Sequence, residues 1–510
     1  MSVKVLSTAV IGLDAELITV EADNSPHSQP GFFIVGLADK AVDESKSRVR
    51  SAIKNSDLEF PRGNVIINLA PADLKKGGSY YDLPIAIACL LQSKQIKNEN
   101  LINQAVFIGE LSLSGELRPV AGVLSIALMC QKLSLKKIFL PAINAKEAAL
   151  IDGLEIYPLK NLKQLANFLN SQTEIEPITN SEDLNDLLKI PPTSLYDFQN
   201  IRGQQQAKRA LEISASGNHN LLMSGPPGSG KTMLAKALPS ILPLMILTES
   251  LEVTKIYSAA GLLAENQPII TTRPFRSPHH TASGISLVGG GTWPKPGEIS
   301  LAHRGVLFLD EFLEFPKTVL ENLRQPLEDG TISISRASGT LKFPAKFLLT
   351  AAMNPCPCGF LNDPEKKCSC TASEIIRYQK KASGPLLDRI DIHLSVPRLP
   401  FEELSNTKIT DNSETIRQRV QRARDIQTKR FADKNIFSNS EMSSALTEQY
   451  CQLDTESKNL IQSATTSLRL SPRVYFRILK LARTIADLDD SQNISLEHLA
   501  EAIQYRPPTD

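Results

Sequence analysis

Short apolar runs of strand length punctuate the chain, and many are followed by longer helical patterns. Val65-Ile66-Ile67-Asn68-Leu69 and Lys137-Ile138-Phe139-Leu140-Pro141 read as buried strands, and Leu83-Pro84-Ile85-Ala86-Ile87-Ala88-Cys89-Leu90-Leu91 reads as a buried helix. Farther along, Asn220-Leu221-Leu222-Met223-Ser224, Val306-Leu307-Phe308-Leu309 and Phe347-Leu348-Leu349-Thr350-Ala351-Ala352-Met353 predict three more buried strands. Between Thr331 and Phe343, polar and apolar residues alternate around Ala337-Ser338-Gly339, which predicts a β-hairpin. The Gly/Pro-rich stretch 284–297 predicts an inserted hairpin, and the pattern after residue 399 is mostly helical.

These patterns divide the chain into an α/β multidomain protein. Residues 1–172 mix short strands with helices. The polar, acidic stretch that follows ends at Pro191-Pro192, so 173–194 is expected to be a linker. Residues 195–398 form a second α/β region, with a four-cysteine element at 356–370, and 399–510 a helical region. The basic run Arg417-Gln418-Arg419-Val420-Gln421-Arg422-Ala423-Arg424 is expected to be a solvated helix face.

Composition narrows little. Hydrophobic residues make up 42% and charged residues 22%, as in a globular protein, and the formal charge of +1 means that nucleic acid must be met by local patches. Asp14 and Glu16 interrupt the N-terminal region before any secretory signal core develops, and no apolar run reaches membrane-spanning length. A cytoplasmic chain with reduced thiols and no membrane is expected.

Candidate chemistry begins at Gly225-Pro226-Pro227-Gly228-Ser229-Gly230-Lys231-Thr232, which fits the P-loop pattern between a strand and a helix. Its glycines let backbone N–H groups turn inward toward phosphate, and the helix start adds partial positive charge. Lys231 is suited to the β/γ-phosphates of ATP and the Thr232 hydroxyl to Mg²⁺. The strand 306–309 runs into Asp310 and Glu311, a Mg²⁺ carboxylate and a base that polarises water. Asn354 ends another strand where a γ-phosphate sensor would stand, although an Asn in a turn before Pro355 is the plain alternative. Arg389, between Asp388 and Asp391, is a charge for a neighbouring subunit's phosphate or one half of a surface salt bridge. Ser471-Pro472 starts a helix that places Arg473 in its first turn, with Arg477 as the competing phosphate contact.

The order of these elements resembles an AAA+ ATPase of the magnesium-chelatase-like group. The segments Arg273-Pro274-Phe275-Arg276-Ser277-Pro278-His279-His280-Thr281-Ala282-Ser283, Gly289-Gly290-Gly291, Pro296 to Gly305 and Ser383 to Asp391 resemble the ComM (YifB) family. That resemblance covers essentially the whole chain. It implies a homo-hexameric ring that hydrolyses ATP on single-stranded and branched DNA, a branch-migration helicase of natural transformation working beside recombination proteins. It also implies that Asn354 is sensor 1, Arg389 the arginine finger and Arg473 sensor 2. The alternatives are an ATP-driven protein remodeller and a metal-chelatase-like motor.

Gly109 to Val123 and Lys76 to Pro84 resemble the Lon-protease fold, a ribosomal S5-like α+β domain whose enzymes use a Ser-Lys dyad. Tyr80 falls where the serine belongs, with Ser79 one residue away, and Leu124 falls where the lysine belongs. Peptide hydrolysis is therefore not expected. For DNA, Arg336 and Lys342 flank the hairpin tip and Lys295 lies on the first insert, all suited to sequence-independent phosphate contacts. Lys75, Lys76 and Arg118 are further basic candidates, equally explained as surface charge. Cys356, Cys358, Cys368 and Cys370 lie among Pro, Gly, Asp and Lys, where packing does not explain them, and predict a structural Zn²⁺ site.

Overall fold

The computed structural model describes residues 2–506 apart from 27, 38, 75, 99–100, 180–183, 190–194, 265, 292–294, 337–338, 364, 401–410, 435 and 469. The chain forms two compact units, and neither is contiguous: Met1–Leu187 with Leu247–Ile270, and Leu188–Ile246 with Thr271–Asp510.

The first unit is built on a seven-stranded sheet in the order Gly31–Val35, Asn64–Ala70, Asp14–Ser25, Val3–Ile11, Ala105–Phe107, Lys137–Pro141, Glu155–Leu159. Strands Val3–Ile11 and Asp14–Ser25 pair antiparallel, whereas the last three strands run parallel to Val3–Ile11. Alternation along Asp14–Ser25 buries Ile18, Val20 and Ala22 on one face. The apolar run at 83–91 is helix Asp82–Gln92, buried from Asp82 to Leu91. Phe107, Phe139 and Tyr157 stack across the parallel strands with centroids 4.6 Å apart.

Two expectations change here. The linker does not start at 173: Ile175 is buried in the core and Ile178 pairs antiparallel with Ile156, so the unit continues past that point. Residues 180–183 and 190–194 of the expected linker lie outside the described residues. Nor is 195–398 one continuous body. Helix Leu247–Ala260 groups with the first unit, because Leu247 and Leu251 complete the apolar cluster around Val123, Leu124 and Ala127. Gly122 N donates to Ser258 O at 3.0 Å, and Lys255 Nζ bonds Asp14 at 2.8 Å.

The second unit holds a five-stranded parallel sheet ordered Phe275–Arg276, Val306–Leu309, Leu348–Met353, Leu221–Ser224, Ile392–Ser395. Leu221 and Met223 face one apolar cluster, shared with helices Gln205–Gly217 and Pro472–Leu488, while Leu222 faces the other with Leu307, Leu309 and Leu349. Burial on both faces explains why these strands read as unbroken apolar runs. The C-terminal helices close over the first cluster.

Helix Ser413–Arg430 corrects the solvated-face expectation. Arg417 and Arg424 are buried. Arg424 donates to Ala215 O at 3.1 Å and Ser216 O at 3.0 Å, and Gln427 Nε2 to Ser216 O at 3.2 Å, so the last turn of helix Gln205–Gly217 is capped by side chains. Arg419 pairs with Glu212 at 2.5 Å. The basic run therefore ties helices together.

Both expected hairpins form. Gly289–Gly290 pairs with Lys295–Pro296, and Thr331–Arg336 pairs with Gly339–Pro344 in a register that sets Ser333 against Lys342. Ile332 and Phe343, also directly opposed, are buried and anchor the second hairpin's base. Lys295 and Lys342 are exposed. The hairpin tip Ala337-Ser338 and the Arg336 side chain lie outside the described residues, as does Lys75. Lys76 is fully buried and donates to Pro71 O, so it is not a surface contact. Arg118 is exposed and pairs with Glu110 at 3.3 Å.

Candidate nucleotide site

The parallel sheet brings three strand ends together. Strand Leu348–Met353 separates Leu221–Ser224 from Val306–Leu309, so the segments after each leave from the same edge. In open α/β sheets that carboxyl edge is where ligands bind.

Gly225–Thr232 links strand Leu221–Ser224 to helix Lys231–Ala237. Gly228 and Gly230 have φ +78° and +91°, in the left-handed region that favours glycine. A Cβ built on either meets no atom within 4 Å, so the concave side of the loop is open. At Gly225 a Cβ would collide with Val396 O, so the loop starts hard against the end of the neighbouring strand Ile392–Ser395. Ser229 Oγ is buried without a hydrogen-bond partner. An open glycine cradle with an orphaned hydroxyl fits a phosphate chain.

Lys231 is buried, and its Nζ donates to Gly225 O at 2.7 Å and Pro226 O at 2.8 Å. Asn354 Oδ1 lies 3.5 Å from the same nitrogen. Burial pushes the Lys231 pKa below its usual range, opposed by the Asp310 charge. Thr232 Oγ1 donates to Asp310 Oδ2 at 2.8 Å, two hard oxygen donors of the kind Mg²⁺ takes. Lys231, Thr232, Asp310 and Asn354 thus meet across 123 residues of sequence.

Glu311 follows Asp310 in the left-handed region, φ +52°, a conformation unfavourable for a non-glycine residue. Its Oε2 lies 3.0 Å from His280 Nδ1, and the imidazole packs against His279 and edge-on to Phe315. His280 is a residue that sequence reasoning did not assign. Its signal was the His279-His280 pair that directly follows the segment 273–278.

Arg389 and Arg473 are placed elsewhere. Arg389 is only 4% exposed, donates to Pro385 O at 2.5 Å and pairs with Glu328. Arg473 pairs with the other oxygen of the same carboxylate. The alternative of a surface salt bridge to Asp388 or Asp391 does not form: Arg389 is buried and its carboxylate partner is Glu328 of helix Arg324–Asp329. Ser471 caps its helix by accepting from Val474 N at 3.3 Å, with Pro472 at the first position. Arg477 donates to Asp391 at 2.6 Å and to Arg389 O at 2.7 Å, so it is a structural tie.

The four clustered cysteines converge. All four Sγ atoms lie within 4.8 Å of one another, and Cys356, Cys358 and Cys368 are separated by 3.4–3.7 Å. A tetrahedral Zn²⁺ with Zn–S bonds of about 2.3 Å sets its sulfurs roughly 3.8 Å apart, so the donor set fits. Backbone hydrogen bonds, from Phe360 first and Ser369 next, lower the Cys358 thiol to about 5. The knuckle abuts the loop: a Cβ on Gly359 (φ +83°) would come 2.6 Å from Pro227 Cδ.

In the first unit, Tyr80 and Leu124 stand beside Glu147. Leu124 N donates to Glu147 Oε1 at 2.8 Å, Ser258 Oγ donates to the same oxygen, and Asn144 Nδ2 lies 3.5 Å from Oε2. Ser79 Oγ donates to Glu110 and Lys76 is held by Pro71 O, so no serine faces a lysine among these residues.

Residues 197–404 match the family model for magnesium chelatase, subunit ChlI; residues 20–144 match subunit ChlI of Mg-chelatase, and 410–506 its C-terminal region. The chain is 44% identical to competence protein ComM of Haemophilus influenzae, over 98% of this chain and 97% of that one. It is 43% identical to the uncharacterized protein YifB of Escherichia coli K12, over 99% and 97%. The magnesium-chelatase 38 kDa subunit of Cereibacter sphaeroides is 24% identical over 31% of this chain and 53% of its own length. No helix among the described residues is long and apolar enough to cross a membrane.

Proposed function

The chain belongs to the ComM/YifB family, a magnesium-chelatase-like AAA+ group, and from that premise we propose that it is an ATP-driven DNA motor that migrates branches as a homo-hexamer. The observation that carries the ATPase part is the meeting of Lys231, Thr232, Asp310 and Asn354 at one sheet edge beside an open glycine cradle. ATP binds with its phosphates in the cradle formed by Gly225, Pro226, Pro227, Gly228, Ser229 and Gly230. Thr232 and Asp310 would hold Mg²⁺, which when bound would neutralise charge on the transferring phosphoryl group. Lys231 exchanges its two loop carbonyls for phosphate oxygens. Glu311 orients the attacking water and takes its proton, with His280 fixing the carboxylate beforehand. Asn354 senses the γ-phosphate. Arg389 and Arg473 act as a pair on a neighbouring subunit's nucleotide.

The DNA part rests on the kinship with a competence protein and on exposed Lys295 and Lys342 on two inserted hairpins. Lysines on such inserts grip backbone phosphate without reading sequence, so binding weakens steeply with salt. Cys356, Cys358, Cys368 and Cys370 would hold a structural Zn²⁺, which would fix the knuckle against Pro227. The working compartment in this reading is the cytoplasm, and the substrate is single-stranded or branched DNA during transformation, handled with recombination proteins. A chelatase-like remodeller is a second reading, favoured by the match of 197–404 to subunit ChlI.

The test is ATP-dependent resolution of a synthetic three- or four-stranded branch by wild type, Lys231→Ala and Glu311→Gln. Branch movement by wild type alone is expected. ATP hydrolysis with neither branch movement nor DNA stimulation would sink the DNA motor and favour the remodeller.

A further inference from the structure

Two arginines expected at a phosphate end on one carboxylate. Arg389 and Arg473 lie far apart in sequence, yet Glu328 Oε2 accepts from Arg389 Nη2 and Oε1 from Arg473 Nη2. No other carboxylate pairs with either arginine among the described residues. Glu328 is half exposed, as is Arg473, whereas the Arg389 side chain is 5% exposed. The Arg389 hydrogen bond, first of all, holds the Glu328 carboxyl below the usual carboxylate range.

The location of Glu328 matters as much as its partners. It sits one residue from the end of helix Arg324–Asp329. Gly330, at φ +64°, then turns the chain directly into hairpin strand Thr331–Arg336. Ala345 N, just beyond the returning strand, donates to Gly330 O at 2.8 Å. Glu328 is therefore on the same short lever as the hairpin.

Carboxylate and phosphate compete for the same guanidinium fork. Arg389 has Nη1 on Pro385 O and Nη2 on Glu328, its Nε is buried without a partner, and its backbone O is held by Asn220 and Arg477. With the backbone fixed, Arg389 reaches a phosphate outside its own chain only by leaving Glu328. We propose that Glu328 is a positioning residue that keeps Arg389 withdrawn and frees it when the hairpin is displaced, so that DNA on the hairpin sets when the arginine pair engages ATP. This rests on the DNA-motor reading and deepens it. No bond is made or broken; one charged hydrogen-bond partner replaces another.

The test uses full-length, assembled protein, with ATP kcat and KM measured with and without single-stranded DNA for Glu328→Gln, Glu328→Asp and Glu328→Gln/Arg389→Ala. The expected result for Glu328→Gln is a DNA-free kcat about fivefold higher or more, little change in KM, and most of the DNA stimulation gone. Glu328→Asp, one methylene shorter, is expected to fall between, and it decides the matter if the Gln variant does not assemble. The double variant should lose the gain. An unchanged or lower DNA-free kcat in Glu328→Gln, or a gain that survives removal of Arg389, overturns the proposal. If wild type hydrolyses ATP with no response to DNA and moves no branch, the motor reading fails by itself. The release of Arg389 is then still decided by comparing Glu328→Gln with the double variant in the absence of DNA.

Discussion

The cleft beside Tyr80 and Leu124 and the cleft above Lys231 differ in what their buried polar atoms do. In the first, the buried carboxylate of Glu147 is met by Leu124 N, Ser258 Oγ and Asn144 Nδ2, and Leu247 and Leu251 pack in the apolar cluster that holds Leu124. In the second, Ser229 Oγ is orphaned, Lys231 Nζ is occupied by two carbonyls of its own loop, and Glu311 occupies a left-handed conformation. A satisfied, packed cleft is what a fold without chemistry to perform can relax into. Orphaned and strained groups cost stability, and they persist where a ligand completes them.

The sharpest way to break that contrast is to remove a single side chain from each cleft. Lys231→Ala should lower ATP hydrolysis by about 10²-fold or more, because a preorganised cation on the transferring phosphate is lost. Leu124→Ala should leave the rate per folded chain unchanged while destabilising the first unit by roughly 2–5 kcal/mol. Steady-state hydrolysis together with thermal melting separates the two. A large rate loss in Leu124→Ala would mean that the first cleft takes part in the chemistry.

Next in size is removal of metal. Cys356→Ser, or chelation under reducing conditions, should release about one Zn²⁺ per chain and lower the stability of the second unit by more than about 3 kcal/mol. Because Gly359 rests on Pro227, the KM for ATP should rise as well, while the first unit melts where it did. Metal analysis that finds no zinc in protein purified without chelators would reject the site.

How far each cleft was legible in the sequence follows the range of the interactions. The P-loop, the strands ending at Asp310 and Asn354, and the start of helix Pro472–Leu488 are local patterns, and they lie where those patterns put them. The pairing of Arg473 with Glu328 spans 145 residues, and no periodicity encodes it. Helix Leu247–Ala260 shows the same limit: its apolar face is readable, but which cluster it completes is not. Lys76 and Arg424 read as surface charges because composition does not reveal the carbonyls that meet them. His280 was visible as a residue, and only its 3.0 Å approach to Glu311 gives it a task.

A smaller effect sharpens the contrast through pH. Burial raises the Glu147 pKa, against the hydrogen bonds of Ser258, Leu124 and Asn144. The folded carboxyl then binds its proton more tightly than the unfolded one. Its contribution to stability is present at low pH and is lost as pH rises from the unfolded value through the raised folded value. Glu147→Gln should flatten that part of the pH–stability curve of the first unit, with ATP hydrolysis unchanged. A variant whose melting retains the full wild-type slope would show that Glu147 does not set it.

The smallest effect compares two buried hydroxyls that both lack partners, Tyr81 OH in the first unit and Ser229 Oγ in the P-loop. Tyr81 is fully buried in the main apolar cluster of its unit, so its hydroxyl carries a desolvation cost with no hydrogen bond to offset it. Tyr81→Phe should therefore be neutral or stabilising by up to about 1 kcal/mol and leave the KM for ATP untouched. Ser229→Ala should be equally mild on the melting of the second unit, yet raise the KM for ATP by roughly threefold to tenfold, the worth of one hydrogen bond to a charged oxygen. The two orphans are alike in burial and differ only in whether a phosphate is expected beside them. Equal, null effects on KM would remove the strongest physical reason for treating the glycine loop as a built phosphate cradle.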